Sequence, residues 1–208
     1  MNQAGKKKGR PLSFDRDAAL HKAMLLFWEH GYEATSLHDI TAALGVKPSS
    51  VYSAFGDKKG LFLDAVGLYL SGPVTSATLI DQAGTASEAA RALMHAAAIG
   101  FTGTDTPPGC LLASSAISCS DSANDVKLAL ADIRRTIELH LRARIEQAVA
   151  AQELPPDTDA GALAGMTMAV IQGMSTLARD GAPRAKLLAV VDTAMRAWPS
   201  APAVGALC

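Results

Sequence analysis

The chain has 208 residues, a formal net charge of −1 and 49% apolar residues, an ordinary globular composition long enough for one large core or two small domains. Aromatic residues make up 5% and strand formers are sparse while alanine and leucine abound, which favours an all-α fold and speaks against a sheet-based one. The near-neutral total hides an asymmetry: residues 1–60 hold nine Lys/Arg against six Asp/Glu, residues 61–208 ten against fourteen. A basic end beside an acidic remainder suits a polyanion-binding domain joined to something else.

Residues 1–13 form a basic arm in which Lys6, Lys7, Lys8 and Arg10 stand with no acid among them. Alone it reads as a solubilising tail. Beside a DNA-binding motif, an arm that wraps phosphates or enters the minor groove is an equal reading. The basic start runs into Gly9-Arg10-Pro11 and not an apolar run, so no secretory signal is expected. Three cysteines, an odd number, then point to a reducing cytoplasm.

The first helix is expected from about Asp15 to His30, with Leu20, Ala23, Met24 and Phe27 facing inward and Gly31 ending it. Ser36 is a good N-cap, and Asp39 completes a capping box with it. Leu37, Ile40, Ala43 and Leu44 follow at the spacing of one helix face. Gly45 stops that helix, because glycine takes the left-handed conformation of a helix end without steric cost. Pro48 suits the first turn of a third helix, in which Val51 and Phe55 face inward and Ser49, Ser50, Tyr52 and Ser53 outward. Two short helices about a glycine turn, the second with a polar face, make a helix-turn-helix suited to the DNA major groove. Lys58 and Lys59 open a fourth helix, where they oppose the positive end of its dipole unless a phosphate docks there. Asp57 is the expected N-cap.

Thr35-Ser36, the glycine turn, and Val51-Tyr52-x-x-Phe55-x-x-Lys58-x-x-Leu61 together resemble the DNA-binding domain of the TetR family of bacterial repressors, from about Gly9 to Val66. The resemblance implies that Thr35 and Ser36 meet phosphate through hydroxyl and backbone groups. It also implies that the Tyr52 hydroxyl meets a phosphate and that Lys58 occupies the family's lysine position. The chain departs from the family pattern at Lys47-Pro48-Ser49-Ser50, at Ser53 in place of a frequent histidine, and at Lys59 in place of a common glutamate. Short serines read bases ambiguously, so reliance on Lys47, water and DNA shape is expected.

The domain plan is an arm (1–13), a helix-turn-helix domain (14–71), a regulatory and dimerisation domain (72–200) and a tail (201–208). The fourth helix runs from about Lys58 to Leu70 and Gly72-Pro73 interrupts it. A helix is expected from about Thr85 to Gly100, a loop over Thr104–Gly109, and a helix through residues 110–116. A long amphipathic helix follows from about Ser122 to Ala151, with Val126, Leu130, Ile133, Ile137, Leu141, Ile145 and Val149 inward and Arg134, Arg135, Arg142 and Arg144 on the solvent side. Pro155-Pro156 breaks the chain, and Asp157 or Asp159 caps the next helix. Residues 160–178 carry no charge. Their three glycines, Thr167, Gln172, Ser175 and Thr176 favour a buried helix over a membrane span. Gly161, Gly165, Ala169 and Gly173 form a stripe of small residues along it, and a last helix runs from about Pro183 to Trp198. The family resemblance implies homodimerisation through these last two helices, which fits a four-helix bundle with their twofold mates.

By the same resemblance, a small effector fills a cavity in the regulatory domain and releases the protein from a palindromic double-stranded DNA operator. The candidate lining is Met94, Phe101, Leu111, Leu112, Ser115, Ile133, Ile137, Met166, Val170 and Met174, an apolar and adaptable wall. An alternative places a thiol-based redox or electrophile sensor at Cys110, which follows Pro107-Pro108-Gly109 at an expected helix start, with Cys119 as its partner. No cofactor or metal is expected. An enzyme is disfavoured because the five histidines are scattered and no metal-spaced cluster, phosphate-cradling glycine loop or nucleophile elbow is present. A DNA-binding architectural protein without a ligand is the second rival, and a closed core would favour it.

Overall fold

The computed structural model describes residues 14–115 and 120–199, and among them every regular element is helical. The helices are α1 (Arg16–His30), α2 (Leu37–Leu44), α3 (Pro48–Phe55), α4 (Lys58–Leu70), α5 (Ser76–Asp81), α6 (Ala86–Gly100), α7 (Leu111–Ser114), α8 (Asn124–Ala150), α9 (Ala160–Arg179) and α10 (Arg184–Met195). A single 3-10 turn, Asp121–Ala123, precedes α8. Arg10 and Cys119 lie outside the described residues.

The local signals act as anticipated in the first four helices. Asp15 caps α1 by accepting from the amides of Asp17 and Ala18, and Asp57 caps α4 by accepting from Gly60. Ser36 and Asp39 make the reciprocal capping box of α2, which ends at Gly45 with φ 68° and ψ 29°. Ala43 departs from the expected face: it is exposed, and Ile40 alone of α2 is fully buried. A helix of two turns has room for one deep contact, so the period overstates its buried stripe.

Beyond α4 the structure departs from the sequence expectation in two short elements. A short α5, capped by Thr75, occupies a stretch with no strong period of its own; Ile80 alone anchors it, fully buried. The helix expected over residues 110–116 is reduced to the single turn of α7. Thr85 and Glu88 form a second capping box at the start of α6.

Two apolar clusters organise the chain. One is built by Leu20, Ala23, Phe27, Trp28, Ile40, Val51, Phe55, Leu61 and Phe62 of α1–α4, and Leu111, Leu112, Val126 and Leu130 continue it. The helix-turn-helix core is therefore closed from outside by α7 and the start of α8. The other joins α6, the second half of α8, α9 and α10 around Leu93, Met94, Leu141, Ile145, Met174, Leu187 and Val191. By length and composition α9 suffices to span a membrane. It instead packs against α6, α8 and α10, with Thr167, Met174 and Ser175 buried.

The seam between the clusters passes through Gly109. Its φ is +81°, and an added Cβ would lie 2.8 Å from the Ser175 carbonyl oxygen and 2.8 Å from Cγ of Arg179. Its carbonyl accepts a buried hydrogen bond from Trp28 Nε1 at 3.1 Å. Gly109→Ala is therefore expected to destabilise the fold by about 1–3 kcal/mol through backbone strain and overpacking. Denaturant unfolding should show this as a lowered midpoint at unchanged slope.

Candidate nucleic-acid interface and the adjoining cavity

The candidate recognition surface is the outer face of α3. Lys47, Pro48, Ser49 and Ser53 are exposed and Ser50 is half-buried, while Val51 and Phe55 anchor the helix from behind. Tyr52 stands out with 50% exposure, large for an aromatic side chain carrying a hydroxyl. Ser36 lies exposed at the start of α2, where its hydroxyl and amide both reach the Asp39 carboxylate. Those bonds from the Ser36 hydroxyl and backbone hold Asp39 below the ordinary carboxylate value. Thr35 is different: it is buried, and its hydroxyl donates to the Gly31 carbonyl at 2.6 Å. Its side chain clamps the α1–α2 turn, leaving only its main chain for a phosphate.

The two lysines at the start of α4 resolve their conflict with the helix dipole inside the fold. Lys58 Nζ sits 4.5 Å from the centre of the Tyr32 ring and donates to the Glu33 carbonyl at 3.4 Å. Burial lowers its pKa, with Glu33 opposing the shift. Lys59 pairs with Asp125 at the start of α8. Across the same gap, the Ser120 hydroxyl donates to the Glu33 carboxylate at 2.8 Å. Both contacts tie the helix-turn-helix to the regulatory helices.

Behind this tie lies a cavity of about 530 Å³, within the size range of small-molecule sites. Trp28 of α1 and Tyr69 and Leu70 of α4 form one part of its wall; Leu93, Ala97 and Phe101, Ile133 and Ile137 of α8, and Met168 and Ile171 of α9 contribute to the rest. Tyr69 meets the Trp28 ring edge-on at 4.9 Å, and its hydroxyl reaches Cys110 Sγ at 3.4 Å. Burial, then the neighbouring Cys110, raises the Tyr69 pKa, so the phenol stays protonated. Cys110 is held by its amide, which donates to Ser175 Oγ at 2.8 Å.

Of the anticipated lining, Phe101, Leu112, Ile133 and Ile137 are on the wall. Met94 and Met174 are instead fully buried in the α6–α10 core, with Met166 and Val170 packed against it, and Leu111 belongs to the helix-turn-helix core. Ser115 is buried and off the wall. Apolarity marks core and cavity alike: on α9, Met168 and Ile171 face the cavity, while Met166 and Val170 pack against the core. Sequence reasoning missed Trp28, Tyr69 and Arg134. The available signal was position, since Arg134 precedes Ile137 by three residues, a neighbouring place on a helix surface.

Comparison with known proteins agrees with this arrangement. Residues 19–65 match the family model for bacterial regulatory proteins of the tetR family, and residues 86–197 match the tetracyclin repressor-like C-terminal domain. The HTH-type transcriptional repressor ComR of Escherichia coli (strain K12) is 39% identical over 196 residues, 93% of each chain. A cysteine mutant of the TetR family transcriptional regulator CifR, solved in complex with 26 bp double-strand operator DNA, superposes with TM-score 0.86 at 38% identity. That alignment covers 92% of this chain and all of the other. A TetR-family regulator from Agrobacterium tumefaciens shares the fold at TM-score 0.74 and 23% identity, over 89% and 97% of the two chains. The chain belongs to the TetR family of bacterial transcriptional regulators.

Proposed function

We propose that this protein is a cytoplasmic, ligand-responsive repressor that binds a palindromic operator as a homodimer and leaves it when a small, mainly apolar effector enters the cavity. The observation that carries this reading is shared ownership of one wall: Trp28 and Tyr69 line the cavity and belong to α1 and α4, which pack on each other, and α4 in turn packs against α3. An occupant that displaces them tilts the recognition helix. In a dimer that tilt changes the separation of two α3 helices, which must sit about 34–36 Å apart to enter successive major grooves. Release by a repressor's effector is then a shift between two states, sized by the effector's differential affinity. ComR and the operator-bound CifR support the DNA partner by kinship. A ligand-free architectural protein has less support, because a largely apolar, partly open cavity lies between the helix-turn-helix and the regulatory helices.

Lys47, Pro48, Ser49, Ser50, Tyr52 and Ser53 form the proposed groove-facing set, with Ser36, the Thr35 main chain, Lys58 and Arg10 of the arm on phosphate. The proposed dimer uses α9 and α10. Along the α9 stripe Ala169 and Gly173 are exposed, and nothing lies within 4 Å of a Cβ added at Gly173. That surface admits the close approach of a second helix. The Cys110 sensor reading is not required by this geometry, since the Cys110 amide and sulfur are already engaged by Ser175 and Tyr69.

The direct test is to sequence genomic fragments captured by the purified protein at moderate salt; a palindromic site is expected, and no enrichment over bulk DNA would remove the operator. On that site, Tyr52→Phe should weaken binding by about 1 kcal/mol whatever the base sequence. Lys58→Ala should flatten the slope of log affinity against log salt by about 0.9, read by titration at several salt concentrations. An unchanged slope with reduced stability would leave Lys58 as a strut for Tyr32 alone. Gly173→Glu, which the protomer has room for, should shift light scattering from dimer to monomer; a persisting dimer would move the interface away from α9.

A further inference from the structure

We propose that the cavity selects effectors with an anionic head, a carboxylate foremost, on an apolar body, and that Arg134 reads the head. This rests on the reading of the cavity as the effector site. Arg134 is the one charged residue among the described residues that line it, and no Asp or Glu shares the wall. Its Nη1 donates to the Leu112 carbonyl at 2.7 Å. A guanidinium carries five N–H donors in a fixed fork, so this bond holds the group while leaving most of the fork to spare. The other α8 arginines are matched to acids: Arg135 with Asp132, Arg142 with Glu146, Arg144 with Glu153. Arg134 has no such carboxylate partner among the described residues, although Glu138 stands one turn along the same helix.

A cation at the edge of an apolar cavity is costly to desolvate unless an anion meets it. A carboxylate entering there gains short, bidentate, charge-assisted bonds. A neutral head forfeits them, and a cationic head is repelled, so one residue both attracts and excludes. Trp28, Leu93, Phe101, Met168 and Ile171 are among the apolar residues of the wall, whose other polar side chains, such as Thr136 and Gln172, are neutral.

The test uses the full chain and matched probes, decanoate against decanol and phenylbutyrate against phenylbutanol. Tryptophan emission follows binding and operator anisotropy follows release. Each carboxylate is expected to bind about tenfold tighter than its alcohol. Arg134→Gln should bring the pair to within about twofold, and Arg134→Lys should retain part of the preference because it keeps the charge but loses the fork. Should Arg134→Gln fail to fold, the gap in the unmodified protein and its reduction in Arg134→Lys still decide the matter. Alcohols that bind and release DNA as well as the acids would overturn the anion reading and leave the effector site standing. A gap that survives Arg134→Gln would take the role from Arg134. If no probe, charged or neutral, perturbs emission or DNA binding, both readings fall together.

Discussion

The last turn of α1 is the joint on which the rest of the structure depends. A helix end leaves carbonyl groups without partners, and here Arg179 from the end of α9 fills the need, donating to the carbonyls of Trp28 and Glu29 at 3.1 and 2.8 Å. A cationic side chain at a helix C-terminus also suits the sign of the dipole. The Trp28 indole meanwhile donates to Gly109, whose own amide is held by the Phe101 carbonyl at 3.0 Å. The Trp28–Gly109 bond is buried, and such a pair is expensive to leave unmet. Helix α1 and the segment before α7 therefore move together or lose it, with the more exposed Arg179 bonds linking α9 to them. Because Phe27 and Tyr32 pack onto Phe62 of α4, the joint extends to the helix that carries α3.

That connection gives the family's regulatory logic a physical route here. The helix-turn-helix is not a bead on a linker: its core is completed by Leu111, Leu112, Val126 and Leu130, and Lys59–Asp125 and Glu33–Ser120 span the remaining gap. The cavity lies inside the joint and not beside it. An occupant therefore acts on packed side chains, which rearrange between discrete packings more readily than they deform continuously. Taking such an equilibrium from 1:99 to 99:1 requires a differential affinity of about 5.5 kcal/mol, a demand that an apolar body plus one charged contact divides between two kinds of interaction.

The DNA side shows a complementary economy. The serines of α3 are short and their hydroxyls both donate and accept, which gives little base discrimination by themselves. Exposed Tyr52 and Lys47 suit the proposed phosphate contacts, which set affinity and register without naming bases. Sequence preference in such an interface leans on bridging water and on the shape of the duplex.

What the sequence by itself determined is the helix-turn-helix, because its signals are local. The Ser36–Asp39 box, the left-handed Gly45, Pro48 at a helix start and the Val51/Phe55 spacing each act within a few residues, and all agree. The same locality made the end of α1 at Gly31 and the start of α4 at Asp57 legible. Only the tertiary structure decided the cavity and its chemistry, since a void is defined by side chains from α1, α4, α6, α8 and α9 that have no common period. Thr35 and Arg134 show the limit most plainly. The family resemblance implies a phosphate contact for the Thr35 hydroxyl, whereas the fold turns it onto Gly31. An arginine on a polar helix face reads as solvated until α7 offers it the Leu112 carbonyl across the wall of the cavity.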